Sequence, residues 1–145
     1  MAPNAPLSLE AAKALIVRLA LSHHPATQAI YLFGSYGTAD QRPDSDVDIA
    51  LLLPPVEAKQ AGPLALGELH QQLSKALGRD VDLLNARLVS TVFQMAIIFG
   101  ELLYCADRYA VDEFEMLTMS YYQKLNEERA EILAEFRRTG RAYPV

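Results

Sequence analysis

Hydrophobic and polar positions change period several times along the chain, and each change predicts an element. Behind a capping Ser8, Leu9 to Ser22 carries Ala11, Leu15, Ile16 and Leu19 at helical spacing, and His23, His24 and Pro25 end the run. Ile30 to Phe33 is a short apolar stretch closed by Gly34, which reads as a buried strand running into a turn. Val47 to Leu53 alternates with period two, so Asp46, Asp48 and Ala50 share one face and Val47, Ile49 and Leu51 the other. Pro54-Pro55 stops that strand. The helical period returns over Leu64 to Leu77, with Leu66, Leu69, Leu73, Ala76 and Leu77 placed inward and Gly78 at the C-terminal end. Arg79 to Leu84 alternates again and sets Asp80 and Asp82 on one face. Val89 to Phe99 reads as a helix and Glu101 to Tyr104 as a strand. Asp107 caps a last helix from Arg108 to Thr139, ended by Gly140 and Pro144. Its apolar residues Phe114, Leu117, Tyr121, Leu125, Ile132 and Phe136 recur at helical spacing for longer than a small sheet needs cover. The expectation is an α/β (α+β) chain forming one domain over 1–145, with a core over about 8–106 and a long C-terminal helix over about 107–139.

Composition narrows the class. A chain of 145 residues with 51% hydrophobic and 21% charged residues is ordinary for a globular protein with a proper core. The net charge of −5 argues against binding nucleic acid through a broad basic surface. The single cysteine, Cys105, excludes an internal disulfide and a cysteine-based zinc site, and within ELLYCAD it reads as a small buried hydrophobe. No apolar stretch reaches membrane-spanning length and no basic-then-apolar signal opens the chain, so the expectation is a cytoplasmic protein without membrane contact. Met1 to Leu7, with two prolines, reads as a loose arm. The His23-His24 pair reads as a solvated helix end, and His70 as structural or solvated.

The stretch from Ala29 to Leu53 carries the candidate chemistry. Carboxylates two apart on a strand stand roughly 6 to 7 Å apart between Cα atoms. Asp46 and Asp48 therefore repel unless a cation lies between them. Mg²⁺, which takes one or two carboxylates together with phosphate oxygens, suits that arrangement. A glycine at a strand end lets backbone N–H groups approach a phosphate, so Gly34 with the Ser35 hydroxyl forms a candidate phosphate site. Ser35 is also placed to cap a following short helix. Asp44 reads as a turn residue at the strand entrance, and Ser45 as a partner either of the turn backbone or of a nucleotide. There is no P-loop and no GxGxxG, so kinase and dinucleotide-binding readings lack support.

Gly34-Ser35, ten intervening residues, then Asp46-x-Asp48 on a strand resembles the signature of the polymerase-β-like nucleotidyltransferase superfamily. The short chain further resembles its minimal branch, the MNT-domain (MntA-type) antitoxins, well over Ala29 to about Cys105 and poorly over the last forty residues. The resemblance implies a small mixed β-sheet flanked by helices. It implies a third metal-binding carboxylate on a short strand after the intervening helix, a position that Asp82 matches. Asp46, Asp48 and Asp82 would then be catalytic and hold Mg²⁺, with two ions expected, while Gly34 and Ser35 bind the nucleotide ATP. It also implies a protein adenylyltransferase that moves AMP to a tyrosine of a HEPN-domain ribonuclease toxin, silencing it, within a hetero-oligomer and without direct nucleic-acid binding. Thr38 stands where relatives commonly carry an arginine, and Arg42 is the loop cation placed to substitute. Two other readings stay open: an antitoxin that blocks by binding alone, and a nucleotidyltransferase acting on a small molecule.

Overall fold

The computed structural model describes residues 7–139, so six of the seven residues of the expected N-terminal arm, and Gly140 and Pro144 after the last helix, lie outside the described residues. The elements are α1 (Leu9–His23), β1 (Ala29–Phe33), β2 (Val47–Leu52), α2 (Pro55–Ala61), α3 (Glu68–Leu77), β3 (Val81–Asn85), α4 (Thr91–Ile98), β4 (Glu101–Cys105) and α5 (Arg108–Thr139). The four strands form one mixed sheet in the order β3-β2-β1-β4. β1 pairs antiparallel with β2 and β4, and β2 pairs parallel with β3 through the connection holding α2 and α3.

Period-two alternation splits the core into two layers. Ile30, Leu32, Val47, Ile49 and Leu51 face α1 and α3, whereas Tyr31, Phe33, Ala50 and Leu52 face Ile97 of α4 and Val111 and Phe114 of α5. β1 is central and buried at every position, as a continuous apolar run should be. In α1 the Ser8 hydroxyl accepts the Ala11 N–H at 3.1 Å, the expected cap. The buried line, however, is Ala12, Ile16 and Ala20, and Ala11 is exposed. An alanine on either side of Ile16 along this line lets the helix lie close on the sheet, with Leu15 and Leu19 half-buried beside it.

Three other expectations are corrected. α3 begins at Glu68 behind Gly67, so Leu66 precedes the helix and is 87% exposed, and Ala76 also faces solvent. Cys105 is exposed, because it ends the edge strand β4. α2 was not anticipated. Pro55 opens it at a position where no N–H is required, and the buried Asn85 amide donates to Ala58 O at 2.9 Å and Gly62 O at 3.1 Å, fixing its C-terminal end.

His70 is structural: its Nε2 donates to Val81 O at 2.8 Å, since a carbonyl can only accept, and joins α3 to β3. Asp107 Oδ1 accepts the Ala110 N–H at 3.0 Å and caps α5 as expected. Tyr31 OH donates to the Glu115 carboxylate at 2.7 Å and pins the start of α5 to the sheet centre. Only Ala110, Val111, Phe114 and Thr118 of α5 are buried. Roughly 30 Å of helix continues beyond Thr118 at 1.5 Å per residue, carrying exposed Ile132, Leu133 and Phe136. Among the described residues no helix is long and apolar enough to cross a membrane.

Candidate active site

Phe33, the last residue of β1, lies opposite Asp48 of β2. The chain then turns at Gly34 with φ +74°, a left-handed conformation that side chains disfavour. A Cβ at Gly34 would lie 2.1 Å from Asp48 Oδ2. Glycine is therefore required twice, by the turn and by the carboxylate against which the turn packs.

Asp48 and Asp82 are direct partners in the parallel β2–β3 pair, so their side chains leave the sheet on the same side, the side of α4 and α5. Asp46 is two residues earlier, just before β2 begins, and belongs to the same face by alternation. Asp48 is half-buried between exposed Asp46 and Asp82. Burial first, then the charges of Asp82 and Asp46, push the Asp48 carboxyl up to about 6. None of the three forms an ion pair with a described lysine or arginine. A half-buried acid that is repelled by two neighbours and lacks a protein cation is a donor set suited to an external divalent ion. Among the described residues no group of three or more aspartate, glutamate, histidine or cysteine side chains is already drawn together to hold a metal ion.

After Gly34 the chain forms successive turns up to β2 rather than the short helix expected behind Ser35. Ser35 O accepts both the Thr38 N–H at 3.0 Å and the Thr38 hydroxyl at 2.6 Å, so Thr38 closes the turn instead of offering a cation. The Ser35 hydroxyl donates to Ser45 Oγ at 3.2 Å, and Ser45 Oγ also accepts the Arg42 N–H at 2.7 Å. Ser45 thus bonds the turn backbone. Asp44 is an exposed turn residue, as expected, and Asp80 is exposed at the entrance of β3.

A cleft of about 640 Å³ opens beside this turn, lined by Phe33, Gly34, Tyr36, Thr38, Phe99 and Glu101 among others; of the expected site residues its lining includes Gly34 and none of Ser35, Asp46, Asp48 or Asp82. Its size lies within the range of small-molecule sites. A groove of about 680 Å³ on the other side of the 43–45 loop contains none of Gly34, Ser35, Asp46, Asp48 or Asp82. Phe99, 79% exposed at the rim of the first cleft, was not anticipated as a site residue. Its signal is the following Gly100: a Cβ there would meet Leu32 O at 2.5 Å, so the α4–β4 connection must cross the end of β1 closely.

The structure thus brings Asp48 and Asp82 into register beside the Gly34-Ser35 turn, with Asp46 on the same face, on a mixed four-stranded sheet. The chain belongs to the polymerase β nucleotidyltransferase family, whose model matches residues 17–109. Over 120 residues it is 40% identical to the protein adenylyltransferase MntA of Shewanella oneidensis, covering 81% of this chain and 82% of the relative. Among solved structures it is similar to a toxin–antitoxin with AMP-PNP, with 36% identity and a TM-score of 0.70 over 86% of this chain and 98% of that one. It is also similar to a chain of the complex of tri-AMPylated Shewanella oneidensis HEPN toxin with MNT antitoxin, with 34% identity and a TM-score of 0.68 over 88% and 98%.

Proposed function

We propose that this chain is an antitoxin that transfers AMP from ATP to a tyrosine hydroxyl of a cognate HEPN-domain ribonuclease toxin and so neutralises it. The observation that carries the reading is the in-register Asp48–Asp82 pair beside the Gly34 turn, with Asp48 pushed up to about 6 by burial first and then by Asp82 and Asp46. The 40% identical adenylyltransferase and the AMPylated toxin complex support the acceptor class. The AMP-PNP complex of a similar chain supports ATP as donor.

The chain's residues divide the work. Gly34 and the Ser35 hydroxyl hold the β- and γ-phosphates, leaving the α-phosphorus toward the carboxylates. Asp46, Asp48 and Asp82 would hold Mg²⁺, two ions as the family resemblance implies, and the bound cation would neutralise phosphate charge and acidify the acceptor hydroxyl. Asp82, exposed at the sheet edge, is open to an incoming protein side chain and accepts the tyrosyl proton. The tyrosyl oxygen bonds to the α-phosphorus in line with the breaking bond to pyrophosphate, which departs. Positioning and charge stabilisation account for the rate, since little covalent chemistry falls to the protein.

The distal part of α5 supplies the partner surface. Ile132, Leu133 and Phe136 are exposed there, among Glu127, Glu128, Glu131 and Glu135. An apolar stripe in an acidic frame fits a basic protein such as a ribonuclease. The test uses the toxin, Mg²⁺ and ATP labelled at either the α- or the γ-phosphate. Label is expected on the toxin from the α position only. Label from the γ position would make the enzyme a kinase and overturn the reading.

A further inference from the structure

We propose that Arg79 is a positioning residue: it locks the Gly34–Ser35 turn to the loop before Asp46 and so fixes the phosphate site relative to the carboxylates. The catalytic half of this inference rests on the nucleotidyl-transfer reading above. Arg79 lies between the end of α3 and the start of β3, and no motif marks it. Its Nη1 donates to Ser45 O at 3.0 Å and to Arg42 O at 3.4 Å. Its guanidinium carbon lies 5.1 Å from the centroid of the Tyr36 ring. Tyr36 follows Ser35, and Ser45 precedes Asp46. The Ser35 hydroxyl closes the ring by donating to Ser45 Oγ at 3.2 Å. Arg79 itself is three residues ahead of Asp82 and beside Asp80, whose carbonyl accepts the Val47 N–H at 2.9 Å and starts the β2–β3 ladder. One side chain therefore touches the sequence neighbours of Ser35 and Asp46 and sits on the segment that delivers Asp82, while touching none of the three.

Without that clamp, the stretch from Ser35 to Asp46 keeps the buried Tyr36 ring, the Ser35–Ser45 bond and its own turns, and its 42–45 end loses its side-chain tie to the α3–β3 connection. That end then samples more conformations, which shifts the entrance to Asp46 relative to the Gly34–Ser35 turn. Arginine suits the task because one guanidinium nitrogen, Nη1, donates to both carbonyls while the planar group lies over the Tyr36 ring, a combination that the compact ammonium of lysine does not reproduce. Thr38 adds to the need. With no cation at that position to draw the turn toward a bound triphosphate, the turn has to be held from behind.

The test has a structural arm and a catalytic arm. In the protein alone, Arg79→Ala is expected to speed amide exchange at Thr38, Gln41 and Ser45 by about tenfold or more, leaving the core amides of β1 and β2 unchanged. With toxin and saturating ATP, Arg79→Ala is expected to lower kcat by about 10- to 100-fold, the scale of an ångström-level misplacement, and to raise the Mg²⁺ concentration for half-maximal rate. Arg79→Lys should not restore either property. Tyr36→Leu, which keeps apolar bulk in the core but removes the ring face, should reproduce the defect. The double variant should then be no worse than either single one, the signature of a shared contact. Loop exchange unchanged in Arg79→Ala would overturn the lock. A raised KM for ATP with unchanged kcat would overturn positioning, assigning Arg79 to direct ATP binding. If loop exchange rises but wild-type protein transfers no AMP, the lock stands and the reading of the reaction fails.

Discussion

Asp48→Asn separates charge repulsion from shape, because the amide is isosteric with the carboxylate. Asp48 is raised from an ordinary 3.8 to about 6, mainly by burial and then by Asp82 and Asp46. At about 1.36 kcal/mol per pH unit this difference corresponds to about 3 kcal/mol. Asp48 is only half-buried, so solvent screening reduces the stability effect to about 1 kcal/mol. The folded state holds its proton more tightly than the unfolded chain between about pH 4 and 6. In metal-free protein this group therefore contributes a stability that falls as pH rises through that window and levels off above it. Asp48→Asn removes the fall. The variant should match wild type at pH 4 and exceed it by about 1 kcal/mol at pH 7.5, or about 3 °C in Tm for a chain of this size. Urea and thermal unfolding in chelator at both pH values measure the difference. Added Mg²⁺ should stabilise wild type and leave the variant almost unchanged. A variant less stable than wild type at pH 7.5, or a difference independent of pH, would refute the electrostatic account of the trio.

Proton and cation compete for Asp48, so Mg²⁺ affinity measured by calorimetry should weaken as pH falls through about 6 and stay constant above about 7. Gly34→Ala should lower AMP transfer by about 100-fold or more, because its Cβ displaces the Asp48 carboxylate and a side chain at φ +74° is strained. Full activity in that variant would remove the turn from the site. Ser35→Ala should cost about tenfold, less than loss of any of the three aspartates, since one neutral hydrogen bond is lost rather than a metal ligand. Ile132→Asp and Phe136→Asp should dissociate the toxin complex while shifting the free protein's stability by no more than about 0.5 kcal/mol. Unfolding of the isolated chain by either substitution would place those residues in the core.

Much of the fold could be read directly where local period and burial coincide. The alternation in Val47 to Leu52 separated Asp48 from Val47 and Ile49, and the two core layers divide along that line. The apolar run of Ile30 to Phe33 belonged to the central strand, where both faces are covered. The long helix was legible through its cap and period, and the length of its apolar stripe already placed Ile132 and Phe136 beyond the sheet, where they are exposed. α2, seven residues long, is too short to show a helical stripe, and its only mark is Pro55 in the first turn. Leu66 and Cys105 were misplaced because hydrophobicity alone cannot show that one precedes a helix cap at Gly67 and the other ends an edge strand. Within the candidate site, Asp46, Asp48, Asp82, Gly34 and Ser35 were visible as a spaced pattern. The contacts that tie that pattern together were not: Arg79 reaches Ser45 across 34 positions and carries no signal in its own neighbourhood.

The central claim, that this antitoxin acts by modifying its partner, is tested most directly by the intact mass of the toxin purified after co-expression. With wild-type protein the toxin is expected to carry whole increments of AMP on tyrosine and to be inactive as a ribonuclease. With the Asp46→Asn, Asp48→Asn double variant it should remain bound, unmodified and active once separated. An unmodified toxin with both proteins, neutralised equally by each, would contradict the account and leave an antitoxin that works by binding alone.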